Sequence, residues 1–407
     1  MTIRSGFKYR IYPNRQQQQQ LAVQFGHCRF VYNRYRALRE STYQETGKGL
    51  SYQDCARDLT RLKKEPEYAW LKEADSQALQ QSLRDLDTAY QNFFKGHNRY
   101  PRFKRKSDRQ SYRYPQRFKL VDNRIYLPKV GWVKIVIHRP LLGEMKSCTV
   151  SKTRSGRYFV SILCEYEQEP DPADGQVGLD LGLSHFLTLS TGEKIDNPRH
   201  LRKQERLLRI RQRRLSRKQQ GSRNRDKARH RVAVQHERVA NQRRDFHHQV
   251  SRRLVNGYGT IALETLHVRG MLANHALAKS IADAGWSQFV TFLQYKQQWA
   301  GGQVVQADRW FPSSRSCSVC GVIYQGLSLS ERHWTCSDCG TRHDRDINAA
   351  QNLLNILTVN LQSEEPTVGV TERAAEGCNA CGGLHPDGAT SLSMDARPRK
   401  PNSFSVG

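Results

Sequence analysis

The chain has 407 residues, with 66 Lys and Arg against 38 Asp and Glu, giving a net charge of +28. That length allows two to four domains with sizeable cores, and no run of roughly 18 apolar residues is present to cross a bilayer. So large a positive excess predicts a polyanionic partner, nucleic acid before a membrane surface.

The start, Met1 to Tyr12, is basic and alternates, without the apolar centre of a signal peptide. A reduced, cytoplasmic setting is expected, with the ten cysteines as zinc ligands and free thiols rather than disulfides. Phe7-Lys8-Tyr9-Arg10-Ile11-Tyr12 reads as a strand closed by Pro13-Asn14, and Asn14 as the cap of a helix from Gln16 to about Glu45. Helical stretches follow at 51–63 and 76–97. Residues 98–118 interleave Arg and Lys with Tyr and Phe, as in Arg99-Tyr100-Pro101-Arg102-Phe103-Lys104-Arg105-Lys106 and Tyr112-Arg113-Tyr114. That mixture suits phosphate contact plus stacking, so Arg102, Lys104 and Arg105 are nucleic-acid candidates. Short strands follow at Arg124–Leu127, Trp132–His138, Cys148–Ser151 and Tyr158–Tyr166. With the first strand they predict a small barrel carrying the helices as an insertion. Glu167 to Gln176 reads as a linker.

Residues 199–254 hold 20 Lys and Arg against four Asp and Glu. Leu201, Leu208 and Leu215 recur every seven residues, as do Val232, Val239 and Phe246, with a break at Gln220-Gly221-Ser222. This predicts a hairpin of two basic amphipathic helices acting as a nucleic-acid cradle, with Arg209, Arg213, Arg214, Arg217 and Lys218 as contacts. Past Leu357 the chain turns aperiodic and rich in Gly, Pro and Ser, and a flexible tail is expected. Cys378-x2-Cys381 in that tail is only half a metal site.

Two sets of metal ligands stand out. Cys317-x2-Cys320 and Cys336-x2-Cys339, with fifteen residues between the pairs, match a zinc ribbon, and Gly321 and Gly340 follow each knuckle. Four thiolates close the coordination sphere, so this zinc is structural. Carboxylates form the second set. In Val177-Gly178-Leu179-Asp180-Leu181-Gly182-Leu183, Asp180 lies between two glycines on one strand face, which leaves room for a metal and an approaching backbone. Glu264 ends the strand-like Thr260-Ile261-Ala262-Leu263. Ile347, Ala350, Leu354 and Leu357 mark a helix starting near 344. Residues two apart on a helix face away from each other, so one of Asp344 and Asp346 can join a shared site, Asp346 being preferred. A strand Asp, a strand-end Glu and a helix Asp follow the layout of RNase H-like nucleases, in which hard oxygen ligands hold two Mg2+ or Mn2+.

The order Gly178-Leu179-Asp180-Leu181-Gly182, Leu263-Glu264, four-cysteine ribbon, then His343-Asp344-Arg345-Asp346-Ile347-Asn348-Ala349-Ala350 resembles the TnpB family of insertion-sequence proteins, relatives of the type V CRISPR effectors. Tyr12-Pro13-Asn14, Tyr100-Pro101-Arg102-Phe103-Lys104 and Ser313-Ser314-Arg315-Ser316-Cys317 carry it further, over about 1–358. The resemblance implies a prokaryotic, nucleoid-associated RNA-guided DNA endonuclease of mixed α+β, multidomain architecture. A wedge-like β-barrel would span 1–13 and 118–170, with a helical recognition insertion at 14–117. A RuvC-like nuclease domain would take 176–315 and 341–358, interrupted by the zinc ribbon at 316–340 and followed by the tail at 359–407. Asp180, Glu264 and Asp346 would be catalytic. The implied partners are a guide RNA from the transposon end and double-stranded target DNA, read beside a short target-adjacent motif, with no membrane and no obligate protein partner. Rival readings are a transposase performing strand transfer, a non-cleaving RNA-guided DNA-binding regulator and a zinc-ribbon RNA-binding protein.

Overall fold

A computed structural model describes residues 1–328 and 331–362, with side chains described to Leu357. The tail expected to be flexible, with Cys378 and Cys381, therefore lies outside the described residues apart from the helical 359–362.

β1 (Thr2–Tyr12) buries Ile3, Ser5, Phe7, Tyr9 and Ile11 on one face, as its alternation predicts. Asn14 and Gln17 form a reciprocal capping box that starts α1 (Arg15–Thr46), and Gly47 ends it at a φ of 67°. α2 (Tyr52–Leu62) begins with a second such box, Ser51 with Asp54. A 3-10 segment, Pro66–Glu73, leads to α3 (Ser76–Phe94), which Asp75 caps. Six strands complete this half: β2 (Gln110–Tyr114), β3 (Lys119–Val121), β4 (Arg124–Leu127), β5 (Gly131–Val136), β6 (Glu144–Lys152) and β7 (Tyr158–Glu167). They join β1 in an antiparallel seven-stranded sheet ordered β2-β6-β7-β1-β5-β4-β3. Its end strands β2 and β3 are not paired with each other, so the expected barrel is a half-barrel. Phe7, Tyr9 and Ile11 share a core with Leu21, Phe25 and Tyr35 of α1 and Leu79 and Leu83 of α3.

One expectation fails here. Tyr112 and Tyr114 sit in β2, not in an exposed loop, and are 3% and 0% exposed. Their hydroxyls bond each other at 3.0 Å, and Tyr114 donates to the Pro128 carbonyl. They are core residues, unavailable for stacking on bases. Paired aromatics two apart in a short alternating run are a strand signal that the surrounding Arg and Lys obscured.

The second half holds β8 (Gln176–Leu181), β9 (His185–Leu189), β10 (Lys194–Asp196), α4 (His200–Ser216), α5 (Arg223–Gly257), β11 (Thr260–Leu263), α6 (Val268–Met271), α7 (Ala278–Ala284), α8 (Trp286–Ala300) and β12 (Gln303–Gln306). Its sheet runs β10-β9-β8-β11-β12, antiparallel through β10, β9 and β8 and parallel from β8 to β12. Val177, Leu179 and Leu181 face a core supplied by Val250 and Leu254 of α5 and Phe289 and Leu293 of α8. A short hairpin, β13 (His333–Thr335) with β14 (Arg342–Asp344), then leads straight into α9 (Arg345–Gln362). α9 lies on the opposite sheet face, where Leu353 and Leu357 meet Ala262.

The basic segment folds as the expected helical hairpin. Gly221 turns it at a φ of 80°, and Ser222 caps α5. Leu208 and Val239 are buried, and Arg211 bonds Gln235 at 2.9 Å across the two helices. No helix among the described residues is long and apolar enough to cross a membrane.

Candidate active site and metal centre

Asp180 stands on the face of β8 that carries α9. The β8–β11 register pairs Ala262 with Gly178 and Leu263 with Leu179, so one further step brings Glu264 beside Asp180. Gly178 admits the close backbone that its smallness was expected to allow. A Cβ there would lie 1.9 Å from the Ala350 carbonyl oxygen and 2.6 Å from the Leu354 nitrogen. The glycine lets the backbone of α9 rest on the strand, and this contact sets α9, with Asp346 in its first turn, over the same edge. Gly182 is likewise filled, by the His185 carbonyl at 2.9 Å. The approaching backbone that the two glycines were expected to admit is present on both sides.

Burial pushes the Asp180 carboxyl well above the usual range, and the negative charges of Glu264 and Asp346 push it further; Arg345 and Arg332 offset this only in part. Burial also lifts Glu264 to about 7 despite a hydrogen bond from the Leu181 N–H. Three acids crowded into one partly dry site, two resisting ionisation, fit a divalent cation better than any neutral occupant. Asp346 is held at 3.3 Å by Arg332, which also reaches the Ser184 hydroxyl at 3.4 Å.

Asp344 has other work. Its Oδ1 accepts from the Asp346 and Ile347 N–H groups, both at 3.1 Å, and its Oδ2 binds Lys194 at 2.7 Å. Burial pushes its carboxyl up, but Lys194 and the helix N–H groups outweigh that and hold it below its usual range. It caps α9, and the choice of Asp346 over Asp344 has a geometric reason.

The four cysteines meet as their spacing predicts. Ligand atoms of Cys317, Cys320, Cys336 and Cys339 all lie within 4.8 Å of one another, and among the described residues no other cluster is as tight. The Cys317–Cys339 and Cys320–Cys336 sulfurs are 3.6 Å apart, close to the edge of about 3.8 Å of a tetrahedron with 2.3 Å arms. Each knuckle closes as a turn: Gly321 donates to Cys317 and Gly340 to Cys336, with φ of 79° and 69°. Hydrogen bonding with Thr341 holds the Cys339 thiol down, at about 6. Donor set and spacing fit structural zinc.

Sequence reasoning missed His343, whose Nε2 lies 3.1 Å from Cys317 Sγ and whose ring packs against Trp334. It also missed Asn348 and Asn352, which hold the first knuckle against α9. The signal was present: positions 348, 352 and 355 form a polar stripe opposite the apolar one.

Among the nucleic-acid candidates, Arg102, Arg105, Arg213, Arg214, Arg217 and Lys218 are exposed. Arg209 is exposed but pairs with Glu205 at 2.9 Å. Lys104 is bound up with the protein: its ammonium lies 3.8 Å from the Tyr32 ring centroid, and its backbone exchanges two hydrogen bonds with Asn33. Arg36 completes this staple, donating to Pro101 and lying over Phe103 at 3.9 Å. The 100–104 segment is therefore fixed to α1.

A mixed multidomain α+β chain, with an acidic site at the C-terminal ends of the inner strands β8 and β11 of a five-stranded sheet and a four-cysteine ribbon inserted before its third acid, defines the class. Family models match at residues 1–48 (a helix-turn-helix domain), 160–275 (a probable transposase of the OrfB IS605 type) and 286–353 (the TNB domain of Cas12f1-like proteins). A Streptomyces pristinaespiralis protein, named for an inferred RNA-guided DNA endonuclease activity, is 44% identical over 358 residues, covering 86% of this chain and 89% of its own. Escherichia coli K12 InsQ, named for the same inferred activity, is 35% identical over 367 residues, 86% of this chain and 91% of its own. The Cas12f1 chain of a complex with guide RNA and target DNA shares the fold at a TM-score of 0.56 and 12% identity, over 87% of this chain and 99% of that one. The chain belongs to the TnpB family.

Proposed function

We propose that this chain is an RNA-guided DNA endonuclease of a transposable element, and that Asp180, Glu264 and Asp346 are its catalytic acids. The observation that carries the assignment is placement: the β8–β11 register sets Glu264 beside Asp180, and the seat of α9 on Gly178 brings Asp346 to the same end of the sheet. Mg2+ or Mn2+, when bound, supplies a polarised water and charge stabilisation at the departing 3′ oxygen. Asp180, Glu264 and Asp346 are the residues that would hold the cation. Glu264, which burial raises to about 7, would act as a ligand in its ionised form. Arg332, which pairs with Asp346 at 3.3 Å, would have to give way for a cation to take its place.

A guide RNA from the transposon end and the target DNA supply the polyanion that +28 requires. Exposed arginines of α4 and of the 102–105 loop would meet phosphates, while base pairing reads sequence. Zinc in the ribbon is structural. The test is to purify the chain with RNA from its own locus, sequence that RNA, and challenge the complex with a DNA library of randomised flanks plus Mg2+. Guide-dependent cuts lost in Asp180→Ala support the reading. Joined products would favour strand transfer, and binding without cuts a regulator.

A further inference from the structure

α9 carries Asp346 and has two working faces. Its apolar face, with Ala350, Leu353 and Leu357, lies on the sheet. Its amide face grips the first cysteine knuckle. Asn348, 1% exposed, donates to the Ser316 carbonyl at 2.7 Å and accepts from the Ser318 N–H at 2.9 Å, so its amide brackets Cys317 on both sides. One turn on, Asn352, 5% exposed, donates to the same Ser316 carbonyl at 2.7 Å and to Ser313 at 2.8 Å. The Ser318 hydroxyl adds a bond to Gln351 at 2.9 Å. A second tether comes from the other side: the ring of buried His343, in the strand that feeds α9, meets the Cys317 sulfur at 3.1 Å.

These bonds do something the ribbon's own fold does not need. A zinc knuckle closes by its own turn bonds, and a helix on a sheet is held by its apolar stripe. A buried amide ladder between them is worthwhile only if their relative position matters, since buried amides are costly unless every bond is met. Asn348 sits two residues from Asp346, so displacement of the knuckle reaches the acid through half a helical turn.

We infer that zinc in the ribbon fixes the start of α9 through Asn348, a positioning residue that sets Asp346 for the catalytic metals. The inference rests on the reading of Asp346 as a metal ligand.

Hydrogen–deuterium exchange on the full-length chain tests the coupling without using activity. Removing zinc with a chelator should speed exchange of the amides at 347–351 at least tenfold while β8 and β11 stay protected, and re-addition of Zn2+ should restore protection. Asn348→Ala, with zinc content unchanged, should show the same loss and bind Mn2+, followed by electron paramagnetic resonance, about tenfold more weakly. Protection of 347–351 that survives zinc removal, or Mn2+ binding unaltered in Asn348→Ala, overturns the inference. Should Asn348→Ala fail to accumulate, Asn352→Ala carries the test with a roughly threefold effect. Asp346→Ala is the control that separates the two claims. If it binds Mn2+ like the parent chain, the carboxylate assignment falls, while the exchange data still judge the coupling.

Discussion

The cysteine cluster and the carboxylate cluster are built by opposite strategies. Each cysteine pair is set by a four-residue turn, and a local hairpin brings the pairs together; the 23-residue span from Cys317 to Cys339 holds the whole site. The acids come from a strand, a strand end and a helix start spread from Asp180 to Asp346, and long-range contacts such as the β8–β11 register and the seat of α9 on Gly178 unite them. A locally coded site is stabilised by its metal. A globally assembled one depends on the fold to bring its members together.

That contrast sets the order of expected effects. Zinc removal, or Cys336→Ser, should unfold the ribbon, a loss on the order of 10 kcal/mol of binding-linked stability, while the half-barrel's own unfolding transition stays in place; both halves melting together in calorimetry would break the contrast. Asp180→Asn should lower guide-dependent cleavage by about 10³-fold or more, with zinc content and RNA binding unchanged. A smaller effect concerns pH. Glu264 has a folded value of about 7 against about 4.5 unfolded, so the metal-free folded chain holds the extra proton between those values and loses stability as pH rises through that window. Glu264→Gln should therefore stabilise the metal-free chain at pH 8 by about 1–3 kcal/mol, with no gain below pH 4, in thermal melts. Smallest is the surface: replacing Arg213, Arg214, Arg217 and Lys218 with Gln should reduce the salt slope of RNA binding by at most about 3–4. An unchanged slope would remove α4 from the interface.

How far the chain could be read follows the same division. The ribbon was legible because its spacing is its geometry. The strands and the cap at Asn14 were legible because alternation and capping act within a few residues. The carboxylates were legible as members of a pattern, but the capping role of Asp344 was not. It depends on Lys194, 150 residues away, and on where the first turn of α9 begins. Gly178 was read as room for a metal and an approaching backbone, but the sequence does not say that the backbone is that of α9. Tyr112 and Tyr114 were misread since composition around them outweighed their period of two, and only the core on the other side of β2 shows why they are apolar anchors.

The most direct measurement is Mg2+-dependent cleavage by Asp346→Asn and Asp344→Asn side by side, each loaded with zinc and locus-derived RNA. Asp346→Asn should lose about 10³-fold or more, whereas Asp344→Asn, which keeps a good helix cap and loses only its pairing with Lys194, should stay within about tenfold of the parent. Full activity in Asp346→Asn, with the loss moved to Asp344→Asn, would contradict the three-acid site.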